Sequence, residues 1–210
     1  MTEDRLREEI AALGRSMYER GLTHGSTGNI SARCADGWLL TPTGSSLGRL
    51  DPGRIAKLDW NGKLLAGDPP SKENFLHLAM YEERPKNGAV IHLHSTHSVA
   101  VSVLADTNPE DALPALTAYY VMRIGSLPMV PYYAPGDMAL AAAVRKLASR
   151  HHAVLLANHG PVVSGTTLAA AADAIEELET TAKLHLLLRG EKTRPLDTAQ
   201  IADLKRRFPQ

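Results

Sequence analysis

Three stretches near the start of the chain constrain its fold most: NISARC (29–34), GWLLTPTG (37–44) and RIAKLDWNGKLLAG (54–67). Each alternates in polarity or carries β-formers, and Gly- and Asn-rich turns separate them, so they predict short antiparallel strands. Helical periodicity surrounds them. Over residues 2–21, Leu6, Ile10, Leu13 and Met17 recur three or four apart, and Gly21 is a natural stop. Ser71 follows two prolines and is the expected N-cap of a helix through KENFLHLAMYEERP, ending near Pro85. AVIHLH reads as a buried strand, SVAVSVLA as a helix and LPMVPYY as a short strand. Asp137 is a candidate cap for a helix through LAAAVRKLASR. HAVLLANHGPVVSG reads as two strands joined by a turn at Asn158, His159 and Gly160, and an amphipathic helix over 168–188 ends at Gly190. With no repeat or linker, the expectation is one α/β domain over residues 1–210, an antiparallel-rich sheet covered by helices on both faces.

Composition narrows the partners. Lys plus Arg equals Asp plus Glu at 23 each, so no net field draws the chain to nucleic acid or an anionic membrane. Any anion has to be recognised locally. Cys34, the only cysteine, excludes an internal disulfide and fits a reducing compartment. The charged start MTEDRLREEI does not read as a signal peptide, and no apolar run reaches the length of a membrane span. The expectation is a soluble, cytoplasmic protein.

In VIHLHSTHS (90–98), His92 and His94 fall on one face of a strand while Leu93 points into the core. Two imidazoles about 7 Å apart on one face can reach one small cation where the strand ends. Catalytic zinc commonly takes three protein ligands and keeps an open position. His159, in a tight turn between two apolar strands, is the best third ligand, since Asn158 and Gly160 already supply the permissive backbone. The bland alternative is a set of hydrogen-bonded or solvent-facing histidines. That alternative is preferred for His24, His77, His151, His152 and His185, and His97 is expected at most to line the cavity.

Three loops, HGSTGNIS (24–31), TPTGSS (41–46) and PPSKEN (69–74), combine Gly, Ser and Thr. Backbone N–H groups and hydroxyls presented together suit a phosphate, although any one such loop is most often only a turn. Glu73, close after the expected cap, either stabilises the helix start or acts as a general acid/base beside phosphate and metal.

The ordered set GN at 28–29, TG at 43–44, SxE at 71–73, HLH at 92–94 and NHG at 158–160 resembles the class II aldolase/adducin family, from about residue 5 to 190. Within it, PSKENFLHLAMY, HLHSTHSVAVS, YYVMRIG, VPYYAPGD and LLANHGPVVSG look most like the branch that decarboxylates 3-oxo-tetronate 4-phosphates. The resemblance implies a three-layer α/β/α sandwich, a homotetramer with sites at subunit boundaries, and one zinc per subunit on His92, His94 and His159. It implies a phosphate site at Gly28, Asn29, Thr43, Gly44 and Ser71, with Glu73 transferring the proton. Sugar-phosphate aldolases of the family read Ser-Ser-Glu where this chain has Ser71-Lys72-Glu73. Lys72 therefore either adds an ammonium to the phosphate site or points outward. A tyrosine from a neighbouring subunit is also implied, assigned to Tyr120 with Tyr119 as the other candidate. Arg123 could pair with a substrate carboxylate, and the alternative for the whole YYVMRIG stretch is interface packing. The implied reaction is decarboxylation of a small phosphorylated keto sugar acid to dihydroxyacetone phosphate through a metal-stabilised enediolate. The alternatives are a fuculose- or ribulose-phosphate type aldolase and a non-catalytic adducin-like binding domain.

Overall fold

The structure, a computed structural model, describes residues 2–134 and 136–208. The strands are β1 (Asn29–Cys34), β2 (Gly37–Leu40), β3 (Ala56–Leu58), β4 (Leu64–Ala66), β5 (Ala89–His92), β6 (Met129–Val130), β7 (Ala153–Leu156) and β8 (Gly160–Gly165). They form one sheet in the order β4-β3-β2-β1-β5-β8-β7-β6. Every neighbouring pair is antiparallel except β6–β7. Connection length explains the pattern. β1 turns into β2, and β7 into β8, through links too short for a crossover, whereas the link from β6 to β7 carries a helix.

The helices are α1 (Glu3–Glu19), α2 (Asn74–Glu83), α3 (Thr96–Ser102), α4 (Ala118–Arg123), α5 (Ala139–Ala148), α6 (Leu168–Leu187) and α7 (Thr198–Arg207). Alternation along the strands builds two cores. Ile30, Leu39, Ile91, Leu155 and Val163 pack under α1, α3, α4 and α6. Trp38, Leu40, Val90, Val154 and Val162 pack under α2 and α5. The three layers expected from the sequence are present, and α7 rests on α4. Among the described residues, no helix is long and apolar enough to cross a membrane.

Several boundaries differ from the sequence reading. Helix α2 begins at Asn74 with Glu73 at its N-cap, so Ser71 is not the cap. Ser71 is held back by a sheet-like contact: its N–H donates to the Thr41 carbonyl at 3.1 Å, next to the Pro42–Pro70 bridge. Met138, not Asp137, is the N-cap of α5, although Asp137 accepts from the Ala139 N–H at 2.8 Å. Helix α3 starts two residues before SVAVSVLA, and only Met129–Val130 of LPMVPYY pairs as strand. Helices α4 and α7 lie where the sequence reading predicts no element. The second opens on a reciprocal capping box between Asp197 and Gln200, which DTAQ spells out in the sequence.

Candidate metal centre

Strands β1 and β5 pair antiparallel with Asn29 opposite His92, so both side chains share the α2 face of the sheet. Leu93 turns to the other face and is buried in the α1/α3/α6 core, and His94 returns to the side of His92, as the alternation requires. His159 arrives from the β7–β8 turn. Asn158 there adopts a left-handed conformation (φ 57°), and Gly160 has φ 151°. A Cβ on Gly160 would lie 2.2 Å from the Leu93 carbonyl oxygen. Only a glycine lets this turn press against the His-Leu-His backbone, and that approach carries His159 over His94.

The three Nε2 atoms converge. His94 and His159 are 3.0 Å apart, His92 and His94 3.1 Å, and His92 and His159 3.3 Å. A tetrahedral ion bonded to nitrogen at about 2.0–2.1 Å needs nitrogens roughly 3.3–3.4 Å apart, which this triangle nearly supplies. His92 donates its Nδ1–H to the Pro161 carbonyl at 2.9 Å, leaving the Nε2 lone pair aimed inward. Burial lowers the basicity of His92, and burial with the neighbouring imidazoles pushes His94 down to about 3. Both are thus neutral, the form that binds a metal. The donor set fits a divalent cation.

Glu73 closes a fourth side. Its Oε1 lies 3.2 Å from His159 Nε2 and its Oε2 3.6 Å from His92 Nε2. All four potential ligand atoms lie within 4.8 Å of one another. Burial alone would raise the Glu73 carboxyl. The facing His92 and His159 and a 2.8 Å hydrogen bond from Asn29 Nδ2 outweigh it and hold the group below the usual carboxylate range.

The proposed phosphate residues are drawn together only in part. Thr43 N–H donates to the Pro69 carbonyl at 3.0 Å, joining the 41–46 and 69–74 loops, and Asn29 Nδ2 donates to Ser71 Oγ at 3.1 Å. Asn29 thereby commits both amide hydrogens to Ser71 and Glu73, and braces the site. Gly28 (φ 79°) serves a close approach, since a Cβ there would stand 2.9 Å from the His92 carbonyl. Thr43 and Gly44 are exposed beside a 270 Å³ hollow that Arg49 also lines. Lys72 is exposed on the turn before α2.

The YYVMRIG stretch requires correction. Tyr120 is only 1 % exposed and packs in the core on the sheet face opposite Glu73, so its ring cannot extend to another subunit's site. Tyr119, 60 % exposed, is the outward one. Arg123 pairs with Asp173 at 2.5 Å near the far end of β8, about 17 Å of strand from His159. His97 turns away as well, donating to Glu179 through its backbone N–H and facing it through Nδ1 at 2.7 Å.

Sequence reasoning passed over two histidines. His24 lines, with His94, His159, Tyr132 and Tyr133, an open cleft of 590 Å³. Nothing local in HGSTG marks it; the loop is brought there by β1. His77, fully buried, donates from Nε2 to Asn29 Oδ1 behind Glu73. Its signal was available, for it stands four residues after Glu73, one helical turn on.

Residues 8–186 match the class II aldolase and adducin N-terminal domain. A 3-oxo-tetronate 4-phosphate decarboxylase of Cupriavidus necator is 50 % identical over 188 residues, 90 % of this chain and 87 % of that one. The decarboxylase of the same name from Haemophilus influenzae is 49 % identical and covers 99 % of both chains. The crystal structure of YgbL, a putative aldolase/epimerase/decarboxylase from Escherichia coli, superposes with a TM-score of 0.95 at 46 % identity, over 97 % of this chain and 99 % of that one. A match across most of the length, with Glu73, His92, His94 and His159 converging on one cluster, makes the chain a member of the class II aldolase and adducin family.

Proposed function

We propose that the protein is a carbon–carbon lyase that converts 3-oxo-tetronate 4-phosphate to dihydroxyacetone phosphate and carbon dioxide, with one zinc per subunit on His92, His94 and His159. The observation that carries this reading is the four-residue cluster, three converging imidazoles with a buried carboxylate beside them, in a chain about half identical to decarboxylases of that name. The ion, when bound, supplies a Lewis acid for the substrate's oxygens.

The chain's own residues do the rest. Breaking C1–C2 releases carbon dioxide and leaves its electron pair on the C2–C3 enediolate. Glu73, a carboxylate at rest and held by Asn29 beside the histidines, takes a proton from water, passes it to C2 to complete dihydroxyacetone phosphate, and so returns to the carboxylate. Thr43, Gly44 and Ser71 hold the phosphate, with Arg49 as the cation lining the hollow beside Thr43 and Gly44. Remote binding energy is thereby turned into orientation at the bond that breaks. The reading includes a cytoplasmic homotetramer with sites at subunit boundaries, in keeping with a cleft that is open at Tyr132, 63 % exposed.

Incubation of the metal-replete protein with 3-oxo-tetronate 4-phosphate should yield carbon dioxide and dihydroxyacetone phosphate in equal amounts. Aldehyde release from fuculose 1-phosphate at comparable kcat/KM would replace the decarboxylase with an aldolase.

A further inference from the structure

Behind Glu73 runs a line of polar side chains set up by two periodicities. Glu73, His77 and Tyr81 are spaced four apart and share one face of α2 and its N-cap, while Asn29 and Ser31 are spaced two apart and share one face of β1. Where the two faces meet, Glu73 Oε2 is 2.8 Å from Asn29 Nδ2, and Asn29 Oδ1 is 2.5 Å from His77 Nε2. His77 Nδ1 is 2.7 Å from Ser31 Oγ, which is 2.9 Å from the Tyr81 hydroxyl. His77, Ser31 and Tyr81 are buried, and Trp38 stacks on the imidazole with ring centroids 6.4 Å apart.

The direction of every hydrogen in this line follows from donor arithmetic. The Asn29 amide nitrogen has two hydrogens, placed toward Glu73 and Ser71 Oγ. Its oxygen can only accept, so His77 Nε2 carries a hydrogen. Burial pushes His77 down to about 3, so the ring is neutral and its Nδ1 is bare. Ser31 then donates to Nδ1 and accepts from the Tyr81 hydroxyl. All four donors point toward Glu73, an alignment in which each bond polarises the next. If the Asn29 amide turned over, its oxygen would face the Glu73 carboxylate at 2.8 Å, acceptor against acceptor.

We propose that His77 is a positioning residue for the lyase reaction: held as the Nε2–H tautomer by Ser31 and Tyr81, it locks the Asn29 amide in the one orientation that offers N–H to both Glu73 and Ser71. The same amide thus ties the proton carrier to the phosphate loop. The inference rests on Glu73 carrying the proton, as in the function proposed above.

The test uses the full-length, metal-loaded protein. Histidine-selective 15N NMR should show His77 neutral, with hydrogen on Nε2 and a bare Nδ1; hydrogen on Nδ1, or on both nitrogens at neutral pH, overturns the proposal. His77→Phe keeps a ring against Trp38 but removes both nitrogens, and kcat should fall at least tenfold with metal content unchanged and KM within threefold. His77→Gln, whose amide nitrogen reaches the place of Nε2, should recover at least a third of the wild-type kcat. Unchanged kcat in His77→Phe, or a His77→Gln protein as slow as His77→Phe while folded and metal-replete, overturns it. If His77→Phe fails to fold, the tautomer spectrum decides. Failure of the function proposal stays separate: the tautomer is read without substrate, and the kcat ratios are taken on whichever phosphorylated substrate the wild type cleaves.

Discussion

Replacing Gly160 by alanine perturbs the metal centre through the backbone alone. The new Cβ would meet the Leu93 carbonyl oxygen at 2.2 Å, where carbon and oxygen ordinarily stop at about 3.3 Å. Roughly 1 Å of separation therefore has to be found. The strands on either side resist it, since Gly160 opens β8, paired with β7 and β5, and Leu93 directly follows β5. Gly160 also sits between His159 and Pro161, whose carbonyl orients His92, and Leu93 sits between His92 and His94. Any shift is delivered to all three histidines, whereas metal bonds tolerate only about 0.2 Å. Strain at φ 151° adds about 1–3 kcal/mol. With the contact included, the cost should come to ~2–4 kcal/mol, a fall of about 4–16 °C in Tm for a chain of this length. Metal affinity should fall at least tenfold. Titration of the apo protein with zinc and thermal melts with and without metal measure both effects. Gly62→Ala is the control: Gly62 has φ 79° but nothing within 4 Å of the added Cβ, so it should lose stability without losing metal. A Gly160→Ala protein with wild-type zinc affinity and a Tm within about 2 °C of wild type would refute the reasoning.

Glu73→Gln should retain bound metal and lose about 10²–10⁴-fold in kcat, because an amide cannot exchange the proton; metal analysis and turnover on one sample check it. His92→Ala should instead lose metal and activity together, and activity that survives without metal would remove the ion from the reaction. Arg49→Ala should raise KM for the phosphorylated substrate about tenfold with kcat nearly constant, the pattern of lost uniform binding. Lys72→Ala should change KM less than twofold, and a larger effect would mean that the exposed ammonium reaches the substrate.

What the sequence determined by itself was whatever depends on short-range periodicity. Alternation through Val90, Ile91, His92, Leu93 and His94 placed both imidazoles on one face, and the apolar strands flanking Asn158-His159-Gly160 marked a rigid turn. The same alternation, with helical spacing in 3–19 and 168–187, required a sheet between two helical layers. Single residues within loops were less legible. Ser71 has the local appearance of a helix cap, yet its backbone bonds to Thr41 thirty residues away, a competition that no local pattern encodes. Tyr119 and Tyr120 are neighbours of identical type, and only the packing of α4 beneath the sheet buries one and exposes the other. Tertiary structure alone decided that the Nε2 atoms of His92, His94 and His159 close to 3.0–3.3 Å, because β5 and the β7–β8 turn meet only after the sheet has formed. It likewise decided that His77 serves Glu73 through Asn29. Helix spacing aligns the first two, but the strand that completes the line comes from residue 29, and only folding sets it alongside.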